Sequence, residues 1–245
     1  MSPTLSALHV FPVKSCAPLV LDAAAVEPRG LRHDRRWIVT DADRKFLTGR
    51  QHPRLTLLHA IPDGDAIRLS APGMPSIRLD APRDGARVEV EVWKNTVAAL
   101  PGGAVGDAWI STFLGMPARF AYMDDACARP VTPEYSKDGD EVSFADAFPL
   151  LLISQGALDA LNAKLAAPVP MLRFRPNFVV ANTAPHAEDG WKRVRIGGIE
   201  FDPSGEPLKT LITYRRGERG VTFGQNVIAR GTGTVRVGDT VEVLA

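Results

Sequence analysis

Between residues 5 and 100 the apolar positions fall in short runs broken by Gly, Pro and Asp: LSALHVFPV, LVLDAAAV, RRWIVTD, LTLLHAI, AIRLSA, SIRLD, RVEVEVW and TVAAL. Runs of this length, rich in branched residues and bounded by turn formers, predict strands. Two signals join neighbours into hairpins: Asp63-Gly64-Asp65 between LTLLHAI and AIRLSA, and residues 41–44 between RRWIVT and FLTGR. This part of the chain predicts an antiparallel barrel or twisted sheet.

The period then changes. GDAWISTFLG, residues 106–115, sets Val105, Ala108, Trp109, Thr112 and Phe113 at helical spacing and stops on Gly115. A short strand, ARFAYM, leads into a Pro- and Asp-rich stretch, residues 124–140, whose length marks it as a candidate lid. Residues 148–153 read as a strand ending at Ser154, a suitable N-cap for a helix carrying Ala157, Leu158, Leu161 and Leu165 on one face. Strand signals return at FVVAN, KRVRI, IEFD, NVIA and TVRVGDTVEVLA. The fold class expected is mixed α+β, mainly β: an N-terminal β domain over residues 1–100 packed on a second β-barrel domain over residues 101–245 with a few helices.

Composition narrows the function. The 245 residues are 45% apolar, enough for a sizeable core. With 29 basic and 28 acidic residues the net charge is +1, so there is no basic face for nucleic acid or a membrane surface. No apolar stretch approaches the roughly 20 residues that span a bilayer, and MSPTLSALHVFPVKS lacks the features of a signal peptide, so a cytoplasmic protein is expected. Cys16 and Cys127 are far apart and could not alone ligate an iron–sulfur cluster. His9, His33, His52, His59 and His186 show no zinc-binding spacing, and no protein metal site is expected from the residue pattern.

Chemistry concentrates where polar residues enter apolar runs. In LRFRPNFVV, residues 172–180, Arg175 and Asn177 flank Pro176 directly before a strand. Pro stiffens the approach, a guanidinium grips phosphate at two points, and Asn both donates and accepts. Such a corner holds a ligand anion or pairs Arg with a carboxylate. FPVKSC offers Lys14 and Ser15 as adjacent donors in a turn. In GLRHDRRW, alternation along a strand lets only one of Arg35 and Arg36 point inward, and an inward Arg needs an anion, either Asp34 or a ligand. Arg50 and Tyr214-Arg215-Arg216 add guanidiniums that read as loop charges. TFGQNVIA places Gln225 and Asn226 after Gly224, where backbone can approach a ligand closely.

Taken in order and spacing, FPVKSC, GLRHDRRW, FLTGRQHPRL, SFADAFPLLLISQGALDALN, RFRPNFVV, GEPLKTLITYR and FGQNVIA resemble proteins with an N-terminal MOSC β-barrel domain followed by a MOSC domain. This family includes the mitochondrial amidoxime-reducing component and bacterial relatives. The resemblance implies a molybdenum cofactor, a pyranopterin dithiolene with a terminal phosphate, and reduction of small N-hydroxylated or N-oxygenated compounds. Electrons would come from a separate iron–sulfur or flavin protein. It implies Lys14, Ser15, Arg35, Arg175 and Asn177 as cofactor contacts: Lys14, Arg35 and Arg175 on the phosphate, Asn177 orienting the pterin. Gln225, Asn226 and the loop around Asp146 would line the site further, with Ala147 and Phe148 standing where relatives carry small hydroxyl residues. Pyridoxal phosphate binding is a further association at family level.

The family's catalytic members bind molybdenum through a cysteine in a segment resembling CxRC-x-x-TT-x-D-P, placed between a run like IEFD and the GEPL motif. Here Phe201-Asp202 runs through Pro203-Ser204 straight to Gly205-Glu206-Pro207-Leu208. A segment left out between Asp202 and Pro203, a true deletion and a cofactor-binding member without turnover all account for this. The intact flanking motifs favour the first, so a further cysteine is expected between Asp202 and Pro203. The alternative to an N-reductase is a non-catalytic cofactor carrier or sulfur-transfer protein, and a third reading is an unrelated phosphate binder.

Overall fold

The computed structural model describes residues 2–203, 216–217, 220–221 and 223–245. The GEPLKTLITYR motif, with Tyr214 and Arg215, lies outside the described residues. The fold is mainly β with two α-helices among the described residues, Ala104–Leu114 (α1) and Gln155–Asn162 (α2).

The largest sheet has eight strands in the order Leu19–Leu21, Thr4–Val10, Phe178–Ala181, Leu150–Ser154, Gln225–Ala229, Ile199–Pro203, Val194–Ile196 and Val241–Val243. Its neighbours are antiparallel except Leu150–Ser154 beside Phe178–Ala181, a parallel pair joined through α2. Leu8, Phe178, Phe201, Val194 and Val227 close over its core, with Phe178 and Phe201 meeting edge to face at 5.3 Å. A second core gathers Trp37, Leu69, Trp109, Phe113 and Phe120 between α1 and the strands Trp37–Thr40, Arg119–Tyr122 and Ala66–Ser70. The two halves of the chain interleave: Thr4–Val10 pairs with Phe178–Ala181, and Ala23–Glu27 pairs with Gly233–Arg236. That interleaving sets residues 11–16 beside residues 175–177.

Local signals act as their chemistry dictates. Asp63 pairs with Ala66 across a two-residue turn, and Asp41 caps its own turn by accepting from the amides of Asp43 and Lys45. Gly115 closes α1 at φ 71, and the Ser154 hydroxyl accepts from the Ala157 amide to start α2. Four facial assignments need correction. Val105, Ala108 and Thr112 are exposed on α1 while Ile110 is buried, and α2 ends at Asn162, which leaves Leu165 outside it and exposed.

Residues 124–140 form a fastened strap and not a free lid. Arg87 grips Asp124 at 2.6 and 2.9 Å, Arg36 holds Asp125 at 2.7 Å, and Arg230 takes both oxygens of Asp140 at 2.7 and 2.9 Å. Arg129 anchors the strap from inside, donating to the carbonyls of Ser143, Ala145 and Asp146. Asp202 and Pro203 are consecutive members of one strand, paired with Ile228 and Val227. That ladder runs continuously through Asp202 and Pro203, and this chain carries no cysteine at the junction. Among the described residues, no helix is long and apolar enough to cross a membrane.

Gly224 approaches its own sheet and not a ligand: at φ 77, a Cβ there would lie 2.6 Å from the Leu152 carbonyl oxygen and 2.6 Å from Ile153. Left-handed strain and a backbone clash both follow from adding that carbon. Gly224→Ala is therefore expected to cost about 3 kcal/mol. Urea unfolding would show it as a lower midpoint with unchanged slope, whereas a shift under about 0.5 kcal/mol, the size usual for surface substitutions, would contradict the packing.

Candidate functional site

The site forms where the turn after the first strand meets the corner before Phe178–Ala181. Phe11 is fully buried and its ring carries two guanidiniums, with the central carbons of Arg35 and Arg175 at 4.4 and 4.1 Å from the ring centroid. Three non-glycine residues here adopt left-handed backbone: Ser15 at φ 68, Arg35 at φ 49 and Arg175 at φ 58. Such conformations cost energy and persist only where the surroundings enforce them.

Those surroundings are specific. Asp34 is buried and accepts from the Phe11 amide at 2.7 Å and from Arg35 Nη1 at 2.5 Å. Asn177, fully buried, accepts from Arg35 Nη1 at 3.0 Å and from the Leu151 amide at 3.2 Å, while its Nδ2 donates to the His9 carbonyl at 3.0 Å. Arg35 Nη2 donates to the Arg175 carbonyl and Arg175 Nη1 to the Cys16 carbonyl at 2.8 Å. Arg175 Nη2 is buried and, among the described residues, has no partner. Lys14, also buried, donates to the Phe144 carbonyl at 2.7 Å and to Asp146 Oδ1 at 2.6 Å. Arg36 points the other way, to the Met123 carbonyl and Asp125, so only one of the two adjacent arginines turns inward.

The charges do not cancel. Among the described residues, Lys14, Arg35, Arg129 and Arg175 face the carboxylates of Asp34 and Asp146, a surplus of two positive charges in that set. Burial pulls Lys14 down to about 8 against the attraction of Asp146. Burial and the neighbouring Arg35 bring Arg175 down to about 10. Burial would raise Asp146, but the Lys14 ammonium holds its carboxyl well below the usual carboxylate range. Uncompensated cations with an orphan N–H suit an anion, and a phosphate monoester brings about 1.5 to 2 negative charges and three acceptor oxygens.

The structure thus brings Lys14, Arg35, Arg175 and Asn177 into one network. Ser15 sits beside it, its hydroxyl donating to the Leu47 carbonyl at 3.3 Å. Gln225 and Asn226 pair with Leu152 and Leu151 one strand away. The Gln225 Oε1 atom is buried without a partner, and among the described residues no hydrogen bond joins either residue to the cluster. Arg173 and Arg50 are exposed and outside it. Phe148 packs against Tyr135 in an apolar cluster and brings no hydroxyl. Sequence reading missed Phe11, Trp93 and Arg129. The Phe before Pro12 was the one visible hint, since Arg129 bonds main-chain carbonyls, which leave no residue signature.

Among the described residues a metal finds no matching ligand set. Cys16 is fully buried, its thiol pushed up to about 12, and burial also raises Cys127, which lies in a different cluster. Metals bind the thiolate, and burial at both positions opposes forming it until a metal is bound. Among the described residues no group of three His, Cys, Asp or Glu could hold a metal ion. The donor set fits the phosphate of the implied cofactor and does not fit its metal.

Residues 2–117 match the MOSC N-terminal beta barrel domain and residues 139–242 match the MOSC domain. Fold, site and these matches define a two-part MOSC protein. The chain belongs to the MOSC family that includes the mitochondrial amidoxime-reducing components. It is 30% identical to mitochondrial amidoxime-reducing component 1 of Homo sapiens over 280 residues, covering 98% of this chain and 83% of that one. The Xenopus laevis protein of the same name is 28% identical, covering 97% and 81%. The molybdenum cofactor sulfurase of Solanum lycopersicum is 26% identical, covering 90% of this chain and 32% of its own length.

Affinity for a phosphate monoester is expected to fall as pH rises through about 8, because Lys14 then loses its positive charge. Titration calorimetry with inorganic phosphate from pH 6.5 to 9.5 reads this directly. Lys14→Met, which keeps the buried stem, should remove the alkaline limb; a limb that persists in the variant assigns the titration elsewhere.

Proposed function

We propose that this protein binds the molybdenum cofactor by its phosphate and pterin end and holds it as a carrier. The observation that supports this reading is the pair of guanidiniums on Phe11 with the one carboxylate of Asp34 beside them and, among the described residues, no partner for Arg175 Nη2, set beside two thiols that are both buried. Lys14, Arg35 and Arg175 would grip the phosphate, with the Ser15 hydroxyl at its edge. Asn177 would act through Arg35, fixing the guanidinium at 3.0 Å, and border the pterin. Gln225 and Asn226 would line the far side. The bound group would supply a redox-active metal, while this chain's own residues position it and neutralise its charge.

A second reading, reduction of small N-hydroxylated or N-oxygenated compounds with electrons from a separate iron–sulfur or flavin protein, is favoured by the names of the amidoxime-reducing relatives. It needs a metal ligand that Cys16 and Cys127 do not provide. The proposal keeps the protein in the cytoplasm, although those relatives are named as mitochondrial.

Protein purified from a molybdenum-replete host should carry molybdenum and pterin by elemental and fluorescence analysis. It should show no reduction of an N-hydroxylated amidine with an artificial electron donor. Turnover of that substrate would overturn the carrier reading in favour of the reductase, and absence of both molybdenum and pterin would leave an unrelated phosphate binder. Arg175→Ala should weaken phosphate binding about 10- to 100-fold, the range for one charge-assisted contact. Pyridoxal phosphate, whose phosphate would meet the same cations, is a convenient competitor for that measurement.

A further inference from the structure

Trp93 occupies an unusual position for its residue type. It is the first residue of the two-residue turn between strands Val88–Val92 and Asn95–Pro101, where Val92 pairs with Asn95. Its backbone stands at φ 55, a conformation that hairpin turns usually assign to Gly, Asn or Asp. Half of the residue, 51%, is open to solvent, while Trp37 and Trp109 are buried. A bulky ring held in left-handed backbone and left exposed gains nothing from core burial.

The ring is nevertheless fixed in place. Its indole N–H donates to Asp146 Oδ1 at 3.0 Å, the same oxygen that accepts from Lys14 at 2.6 Å. Phe46 meets it edge-on, with ring centroids 4.9 Å apart and planes at 63°, and the Lys14 ammonium lies 5.5 Å from the Phe46 ring. An exposed aromatic face is therefore anchored to the same lysine and carboxylate that border the surplus cations.

We propose that Trp93 is a stacking platform for the planar ring of the molecule whose phosphate the cluster holds. This rests on the phosphate-binding reading above and adds a ring-specific contact to it. Lys14 and the two arginines recognise charge and are indifferent to what carries the phosphate. A flat, solvent-facing indole beside them discriminates a heteroaromatic ligand from an aliphatic phosphate, since stacking on an aromatic side chain is worth about a tenfold change in affinity or more.

The test uses the full chain and three probes: inorganic phosphate, glycerol 3-phosphate, and the oxidised, metal-free pterin phosphate prepared from molybdenum cofactor. For the unmodified protein, the pterin phosphate should bind about tenfold tighter than glycerol 3-phosphate and quench the exposed tryptophan emission. Trp93→Gly, which suits the left-handed turn and should fold at least as stably, is expected to bring that advantage to within about twofold while leaving both aliphatic and inorganic phosphate affinities unchanged. Trp93→Phe, which keeps a ring without the N–H, should retain most of it. Equal pterin phosphate affinity in Trp93→Gly and the unmodified protein would overturn the platform and leave the phosphate site standing. A parallel loss for glycerol 3-phosphate would also overturn it, by showing that Trp93 acts on the cation cluster. Failure of the unmodified protein to bind either inorganic or pterin phosphate would overturn the underlying reading and the platform together.

Discussion

The packing of two guanidiniums on one phenylalanine is the constraint from which the site follows. Arg35 and Arg175 lie within 4.4 Å of the Phe11 centroid, and the single carboxylate buried with them is Asp34. Cation–π attraction contributes about 0.5 to 2 kcal/mol per contact, which does not offset taking two like charges out of water. Main-chain acceptors make up part of the difference: the carbonyls of Arg175 and Cys16 each take an arginine N–H. Each left-handed residue at Ser15, Arg35 and Arg175 adds roughly 1 to 3 kcal/mol of strain. The corner stands because both of its backbone segments leave strands of one large, apolar sheet.

That sheet also explains the distance in sequence between the two walls. Leu8 pairs with Phe178, and the hydrogen bonds between His9 and Asn177 run in both directions, main chain to main chain and side chain to main chain. Asn177 further accepts from the Leu151 amide, so one amide group locks the first strand, the Leu150–Ser154 strand and Arg35 to one another. Register across these strands therefore sets where Arg175 stands relative to Lys14. The strap acts on the third side, where Arg129 fixes the carbonyls of residues 143, 145 and 146, next to the Phe144 carbonyl and Asp146 carboxylate that receive Lys14. Charge, register and loop position are coupled through a few buried donors.

Much of this was legible from residue pattern. The short strands, the turn at Gly64 and the caps Ser154 and Gly115 follow from periodicity and turn chemistry acting over a few residues. Arg175 and Asn177 stood out because polar side chains at the entrance to an apolar strand need a partner, and alternation separated Arg35 from Arg36. What escaped were contacts whose other half is main chain or remote: Arg129 on three carbonyls, Phe11 beneath two arginines, Trp93 reaching Asp146. The strap was misread for the same reason, since its Pro and Asp residues resemble a mobile loop until Arg87, Arg36 and Arg230 are placed around it. Gly224 signalled a close approach correctly, but only the folded sheet shows that Leu152 is what it approaches.

The anion-gripping part and the metal-ligating part of such a site call for different donors, hydrogen-bonding cations in the one and a thiolate in the other. The strand Ile199–Pro203 keeps register with Gln225–Ala229 through Phe201, Asp202 and Pro203 without interruption. The Asp202 carboxylate on that strand is engaged by Lys137, Arg193 and Arg230. Lys14, Arg129 and Arg175 are each made less basic by burial, which is the signature of cations held at a cost. A fold relieved of every ligand would be more stable with apolar residues in those positions. Their presence together, with no partner for Arg175 Nη2 among the described residues, is the observation that favours an anionic ligand, independently of whether the chain can also hold a metal.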